Sequence, residues 1–277
     1  MKQSLGVVAE DKLINIQAKI LATPSLQYFN RNVRDIRNAS WAFTHERFSR
    51  AGSLDVIDAF ALDKAPFNNR RDNHPEKPRD LAEDMADRLS SHGVQVRRGE
   101  SERGSLEALS QFWKKLSKAQ RATLVALDGH SFDIHADVKR LADLEHGVHS
   151  MCLQSGKIPY ITKKNAVQDV GYGYQFLSNY ALKLNLKTGG INHTLSSDFL
   201  DQCLGSDRDT TLILGADVTH PNVGDALGTP SIACVVGSYD NQFQIYHGSM
   251  RLQAGREEVS VAITREERIV LTQKANC

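Results

Sequence analysis

Three groups of residues in this sequence have types and spacings suited to chemistry. The first is Asp217, set in Gly215-Ala216-Asp217-Val218-Thr219-His220-Pro221 at the close of the apolar run Thr211–Ala216. A strand ending there delivers the carboxylate to solvent, where a hard oxygen ligand can meet Mg²⁺. An Asp in that place is also a common turn-former. The second group is His135 and Lys139, four residues apart and so on one helical face, opposed to the stripe Ile134, Val138 and Leu141. Near a helix start such a face favours anions through free N–H groups and the helix dipole; its plain alternative is a solvated surface. The third is the segment from Lys157 to Lys187, which holds five lysines against one acid, Asp169. Its last two cations, Lys183 and Lys187, equally suit the carboxyl end of a helix.

Composition narrows what these groups can serve. A formal net charge of +1 gives no global attraction to nucleic acid, so phosphate binding must come from a local cluster of Lys and Arg. Cys152, Cys203, Cys234 and Cys277 are scattered and form no CxxC pair, which argues against zinc and suits a reducing compartment. Uncharged apolar runs such as Thr211–Ala216 and Ser231–Val236 are too short to cross a bilayer. Met1–Ile20 mixes charges among its apolar residues and lacks a signal-peptide core. A cytoplasmic setting is expected, with the nucleus as the alternative.

The elements that must position these residues follow from periodicity. Residues 1–40 read as a connector broken by Pro24, Asn30, Asn32 and Asn38. Trp41–Leu62 suggests two strands around a turn at Arg50–Ser53, and Ala65–Arg79 a surface loop. Leu81, Met85 and Leu89 then recur every four residues ahead of Gly93, an amphipathic helix with its stop. Val94 and Val96 suggest a short strand. Ser105 caps a helix bearing Leu106, Leu109, Trp113 and Leu116, and Thr123–Leu127 forms a strand leading to Asp128-Gly129. Asp133 is expected to cap a third helix, with a strand at Val148–Leu153 after it. Tyr172–Lys187 is expected as a long helix, or helix plus strand, stopping at Gly189-Gly190. Such alternation favours a parallel sheet covered on both faces. Asp198–Asp209 is a polar link near a domain boundary. Beyond it come strands over Thr211–Ala216, Ser231–Tyr239 and Gln242–Gln253, the last two joined by a turn at Asp240-Asn241. Arg256–Lys274 suits one more helix.

Longer strings supply a resemblance. Leu214-Gly-Ala-Asp-Val-Thr-His-Pro221, followed by Pro230-Ser-Ile-Ala233 and Val235-Val-Gly-Ser238, closely resembles the opening strands of the Argonaute PIWI domain. Leu182-Lys-Leu-Asn-Leu-Lys-Thr-Gly-Gly-Ile-Asn192 is similar to the end of the Argonaute MID domain, and Ala136-Asp-Val-Lys-Arg140 to the start of its phosphate-binding helix. Pro24-Ser-Leu-Gln-Tyr28 resembles the linker before MID. The similarity runs in order along nearly the whole chain and is to eukaryotic, fungal-like Argonautes.

That resemblance implies an α/β architecture: a connector over 1–40, a Rossmann-like MID domain over 41–195, and a truncated RNase H-like PIWI fragment over 210–277. It implies that MID grips the 5′-monophosphate of a small single-stranded guide RNA, with target RNA and silencing-complex proteins as further partners. By matching position, the grip falls to Lys139, Lys183 and the supporting Lys187, with Ser150, Cys152 and Gln154 on the next strand. His135 stands where the family has Tyr, keeping a ring but losing a phenolic hydroxyl. Met151, in the same strand motif, cannot donate a hydrogen bond. Slicing relatives use an Asp-Glu-Asp-His set holding two Mg²⁺ ions. Asp217 matches the first Asp, also as a metal ligand, and Glu258 the Glu, with Glu257 a close competitor. Matches for the other two are expected beyond Cys277. The chain is thus expected to bind a guide end without cutting by itself. The alternatives are a guide-directed Mg²⁺-dependent endoribonuclease once completed, or a non-catalytic fragment acting through protein partners.

Overall fold

A computed structural model of the chain describes residues 16–18, 23–29, 33–36, 41, 43, 46–62, 78–116, 120–127, 132–154, 160–161, 171–172, 174–222 and 224–255. The stretch expected as a connector contributes two short antiparallel strands, β1 (Ser25–Gln27) and β2 (Val33–Asp35), and β1 also pairs with Thr194–Leu195. Of the two strands expected over Trp41–Leu62, the second forms as β3 (Val56–Leu62). The described residues before it pack by their rings. Phe43 stacks on His92 at 4.1 Å between ring centres and on Phe48 at 5.3 Å, while the Trp41 indole donates to the Tyr28 hydroxyl at 3.0 Å. Ring contacts hold these aromatics.

The parallel sheet arises as the periodicity requires. After β3 come α1 (Pro78–Ser91), β4 (Arg97–Gly104), α2 (Leu106–Lys115), β5 (Arg121–Leu127), α3 (Phe132–Arg140) and β6 (His149–Gln154). The strand order is β4-β3-β5-β6, all parallel. Side-chain alternation splits the core between the two sheet faces. Ile57, Ala59, Ala61, Leu124 and Ala126 pack with Leu81, Met85 and Leu89 of α1, whereas Phe60, Val125 and Leu127 pack with Leu109, Phe112 and Trp113 of α2 and Val138 of α3.

Two expected boundaries shift here. The fourth strand begins at Arg97, beyond Val94 and Val96, and reads Arg-Arg-Gly-Glu-Ser-Glu-Arg-Gly. It lies at the sheet edge and none of its residues is buried, so no apolar alternation marks it. The third helix already includes Phe132, which places Asp133 inside its first turn and not before it. Ser105 does cap α2, its Oγ accepting from the Ala108 N–H at 3.3 Å.

Among the described residues of this sheet one charged residue is fully buried. Asp58 on β3 is fully buried and accepts from Arg121 Nε and Nη2 at 2.8 and 2.6 Å, and from the Glu100 N–H at 2.8 Å. A side chain at Gly99 would collide with the Asp58 carboxylate, so glycine permits that close approach.

Past the sheet, β7 (Tyr160–Ile161) pairs with β8 (Gly171–Tyr172), and α4 (Tyr174–Lys187) follows as a continuous helix. It stops where expected, with Gly189 at φ 82°. β9 (Thr194–Leu195) leads into α5 (Ser197–Leu204) and a tight 3₁₀ turn over Gly205–Thr210. The expected polar link is therefore helical: Leu200 is its buried anchor, and the surrounding Asp and Ser residues face water.

β10 (Leu214–Thr219), β11 (Ser231–Ser238) and β12 (Tyr246–Gln253) form an antiparallel sheet in that order. The β11–β12 connection is longer than a two-residue turn: the Tyr239 N–H donates to the Ile245 carbonyl, and Asp240 Oδ1 accepts from the N–H groups of Gln244 and Ile245. All of Arg256–Lys274, most of Ala65–Arg79 and the loop at 128–131 lie outside the described residues. Among the described residues no helix is long and apolar enough to cross a membrane.

Candidate anion site

β6 is an edge strand, so part of its backbone lacks a neighbouring strand to bond with. Ser150 lies on it, fully buried. Two lysines from different helices meet there. Lys139, in the last turn of α3, donates from Nζ to the Ser150 carbonyl and to Ser150 Oγ, both at 2.7 Å. Lys187, in the last turn of α4, donates to the same carbonyl at 3.1 Å. Sharing one acceptor oxygen, the two ammonium nitrogens are no farther apart than those two bonds allow. Among the described residues neither lysine has a carboxylate within ion-pair distance.

Local sequence holds both lysines in place. The chain after α3 widens into a π-helical turn over Leu141–His146 and closes at Gly147 with φ 63°. The carboxyl end of α4 is tied down by Asn185, which is buried. Asn185 Oδ1 accepts from the Gly52 N–H at 2.7 Å, and its Nδ2 donates to the Arg50 carbonyl at 3.2 Å and to Asn192 Oδ1 at 3.0 Å. Arg50 and Ile191 exchange backbone hydrogen bonds at 2.9 and 2.8 Å beside it. Asn185 and Lys187 are two residues apart, so fixing the first fixes where the second emerges.

The two cations share one carbonyl, and Asp143 is the acid that acts on Lys187. Burial holds the Lys187 ammonium below the usual lysine range; the Lys139 cation pushes the same way, and Asp143 opposes both. Burial raises the Cys152 thiol above its ordinary value against the pull of Lys139 and Lys187. The same effect raises the Tyr180 phenol, with a contribution from Cys152. Lys139, Lys187, Ser150, Cys152, Asp143 and Tyr180 thus interact within one neighbourhood.

Four of the residues expected to hold a phosphate are therefore together: Lys139, Ser150, Cys152 and Lys187. Gln154 is half-buried two residues beyond Cys152, at the end of the same strand. Lys183 sits over the Tyr180 ring, its Nζ 5.4 Å from the ring centre. His135 is exposed one turn before Lys139. Tyr180 and Asp143 escape the motif comparison. Tyr180 nonetheless carries a sequence signal, standing three residues before Lys183 and seven before Lys187 on one helical stripe.

Asp217 belongs to the other sheet. It is the fourth residue of β10, not its last, and faces Cys234 across the ladder, with Met250 next to Cys234 on β12. The strand is exposed along nearly its whole length, and Ile232, Met250 and Leu252 on the same face are exposed too. Asp217 Oδ1 accepts from the Val218 N–H at 2.9 Å. Among the described residues no three His, Cys, Asp or Glu side chains converge, and Glu258 and Glu257 lie outside them. Among the described residues Asp217 thus supplies one of the several oxygen ligands that Mg²⁺ takes.

Comparison with known proteins places this geometry. Residues 123–274, more than half of the chain, match the Piwi domain family. The chain belongs to that family. The Piwi-domain match begins within β5 and takes in the lysine pair and the antiparallel sheet. The structure resembles that of Kluyveromyces polysporus Argonaute with a guide RNA, with a TM-score of 0.68 and 21% identity over 93% of this chain and 32% of that one. It also resembles the C-terminal lobe of a budding yeast Argonaute (TM-score 0.67, 22% identity, 93% of this chain and 54% of that one). The N. crassa QDE-2 MID-PIWI domains give a TM-score of 0.53 at 22% identity, over 83% of this chain and 58% of that one. This Piwi-family chain spans less than two thirds of each of those solved chains. Its fold is that of an Argonaute MID–PIWI lobe, with a parallel and an antiparallel sheet.

Proposed function

We propose that this chain binds the 5′-monophosphate end of a small single-stranded guide RNA. The observation that carries the reading is the shared hydrogen bonding of Lys139 and Lys187 to the Ser150 carbonyl. Two ammonium groups held side by side repel each other, and burial already disfavours the charge on Lys187. A dianion bridging them removes that repulsion and restores the protonated state. A terminal monophosphate carries about −1.5 to −2 charge, more than any internal phosphodiester, so a paired site of this kind favours strand ends. The Argonaute from Kluyveromyces polysporus, whose fold this chain shares, was solved with a guide RNA.

In this reading the exposed His135 ring offers a surface for the first base, and Lys183 over Tyr180 supplies a further cation at the rim. A bound guide would pair with target RNA, and silencing-complex proteins and a cytoplasmic or nuclear setting belong to the same proposal. Cleavage is not assigned, because Asp217 is the sole residue of the implied metal-binding set among the described residues.

The test is a fluorescence titration of the full 277-residue chain with one single-stranded RNA, carrying either a 5′-phosphate or a 5′-hydroxyl. Tighter binding of the phosphorylated strand is expected. Equal affinities would remove the reading.

A further inference from the structure

Among the described residues the parallel sheet ends in β4 and β6, and the antiparallel sheet of β10, β11 and β12 ends in β10 and β12. A bare strand edge invites pairing with another strand, and three of these edges are guarded against it. β4 carries Arg97, Arg98, Glu100, Glu102 and Arg103. β6 has two ammonium groups on its Ser150 carbonyl. On β10, the N–H of Val218 faces outward in the ladder register and donates to Asp217 Oδ1 at 2.9 Å.

β12 has no such guard. The Tyr239 N–H donates to the Ile245 carbonyl directly across the ladder, so His247, Ser249, Arg251 and Gln253 turn their backbone groups toward β11. Those of Gly248, Met250 and Leu252 alternate outward, and among the described residues no hydrogen bond meets them there. The side chains of Met250 and Leu252 share a face with Cys234 and Ile232 and are 70% and 71% exposed. Arg251 is the one residue of β12 with a fixed charge, and its backbone faces inward.

We propose that this edge is an interface for a second copy of the chain, with β12 antiparallel to β12 about a twofold axis normal to the sheet. Outward backbone groups must meet outward ones, so only registers two residues apart are open. Centring the axis on Arg251 sets two arginines face to face, and centring it on Ser249 sets Arg251 against the second copy's His247. Centring it on Met250 sets Arg251 against Ser249, which avoids like charges directly opposite each other. It also places Leu252 over Gly248, where no side chain stands in the way, and brings the two Met250 side chains together. Gly248, Met250 and Leu252 of each copy then exchange hydrogen bonds with the other, and two exposed apolar faces become one. The joined sheet ends in β10 on both sides, where Asp217 already occupies the Val218 N–H, so assembly stops at two copies.

Analytical ultracentrifugation of the full chain without RNA tests this, and its result does not depend on guide binding, because β12 has no part in the lysine pair. A dimer is expected at micromolar concentration. Met250→Lys sets two ammonium groups opposite each other and should raise the dimer dissociation constant by about tenfold or more. Should that variant fail a thermal-melt check of folding, Leu252→Lys takes its place. Ile232→Lys alters the same face one strand inward and should leave the dimer intact. Met250→Cys should form a disulfide with its copy on mild oxidation, because the Cα atoms of a hydrogen-bonded pair lie about 5.5 Å apart. Tyr246→Cys, at the far end of the joint ladder from its copy, should cross-link no more than wild type. A wild type that stays monomeric overturns the proposal, as does a dimer that survives the lysine variants at the edge. A dimer lost equally in Ile232→Lys places the contact on the sheet face and overturns it too. Equal cross-linking of the two cysteine variants refutes the register and the twofold with it.

Discussion

Replacing Lys139 by Met tests the lysine pair at its most informative point. Met keeps an unbranched stem of similar length and deletes the ammonium, so packing along α3 changes little. Lys139 donates to both Ser150 oxygens at 2.7 Å, and a bound phosphate must sit on the open side of that ammonium. At about 4 Å, with an effective dielectric of about 40–80 for a half-exposed site, one unit charge and a phosphate of about −1.5 to −2 attract by about 1.5–4 kcal/mol. Part of this is returned. The variant also loses the repulsion between Lys139 and Lys187, which leaves Lys187 easier to protonate and a better single contact. The lower end is the appropriate expectation: about 2 kcal/mol, or about 30-fold in dissociation constant. The assay is anisotropy with phosphorylated and hydroxyl-ended RNA at two salt concentrations. The loss should appear with the phosphorylated strand alone and shrink at the higher salt. For a single strand, each lost phosphate contact flattens the log–log salt dependence by about 0.7. A Lys139→Met variant that weakens both RNAs by one common factor would show that Lys139 holds internal phosphates, and the argument for end recognition would fail.

Three further outcomes follow from the same structure. Because Lys187 titrates below its ordinary value of 10.5, binding of phosphorylated RNA should begin to decline as pH rises toward 10.5 but before reaching it, and Lys187→Met should lose that decline. Arg121→Met strands the Asp58 carboxylate, which is fully buried; urea unfolding should show a loss of about 3–5 kcal/mol, and an unchanged midpoint would mean that the pair is not buried in solution. His193 packs between Trp41 and Tyr28, and burial lowers its pKa from 6.5, so the fold favours the neutral ring. Stability is complete above 6.5 and falls as pH drops through the lowered folded-state value; His193→Phe should flatten that acid limb in thermal melts, and parallel curves would assign the limb to other groups.

How much of this was legible beforehand depends on whether the deciding contacts are local. The helix carrying Leu81, Met85 and Leu89 and the strand Thr123–Leu127 bury one clear stripe or a continuous apolar run, and they form where periodicity puts them. β4 breaks that rule because an edge strand buries little, so its eight residues look like a loop. The Trp41–Phe48 aromatics look like a strand because aromatic residues favour strands, yet their partners are His92 and Tyr28, far away in sequence. Likewise Asp198–Asp209 is too polar to advertise a helix whose single buried anchor is Leu200.

The site divides along the same line. Spacing alone could put Lys139 on one helix and Lys187 at the end of another, and motif similarity could group them with Ser150 and Cys152. What makes them one site is the Ser150 carbonyl, a backbone atom available only because β6 ends the sheet. No residue type encodes that. It follows from strand order, which is set by contacts such as Thr123 with Ser150 and Leu124 with Met151 between chain segments joined through α3. The same reasoning explains why Tyr180 escaped notice although its spacing to Lys183 and Lys187 was visible. Its link to Cys152 exists only once α4 lies against β6, and a helix stripe carries chemistry only when something stands opposite it. Lysine positions are thus a sequence property here, whereas their pairing and the lowered pKa of Lys187 are properties of the sheet edge.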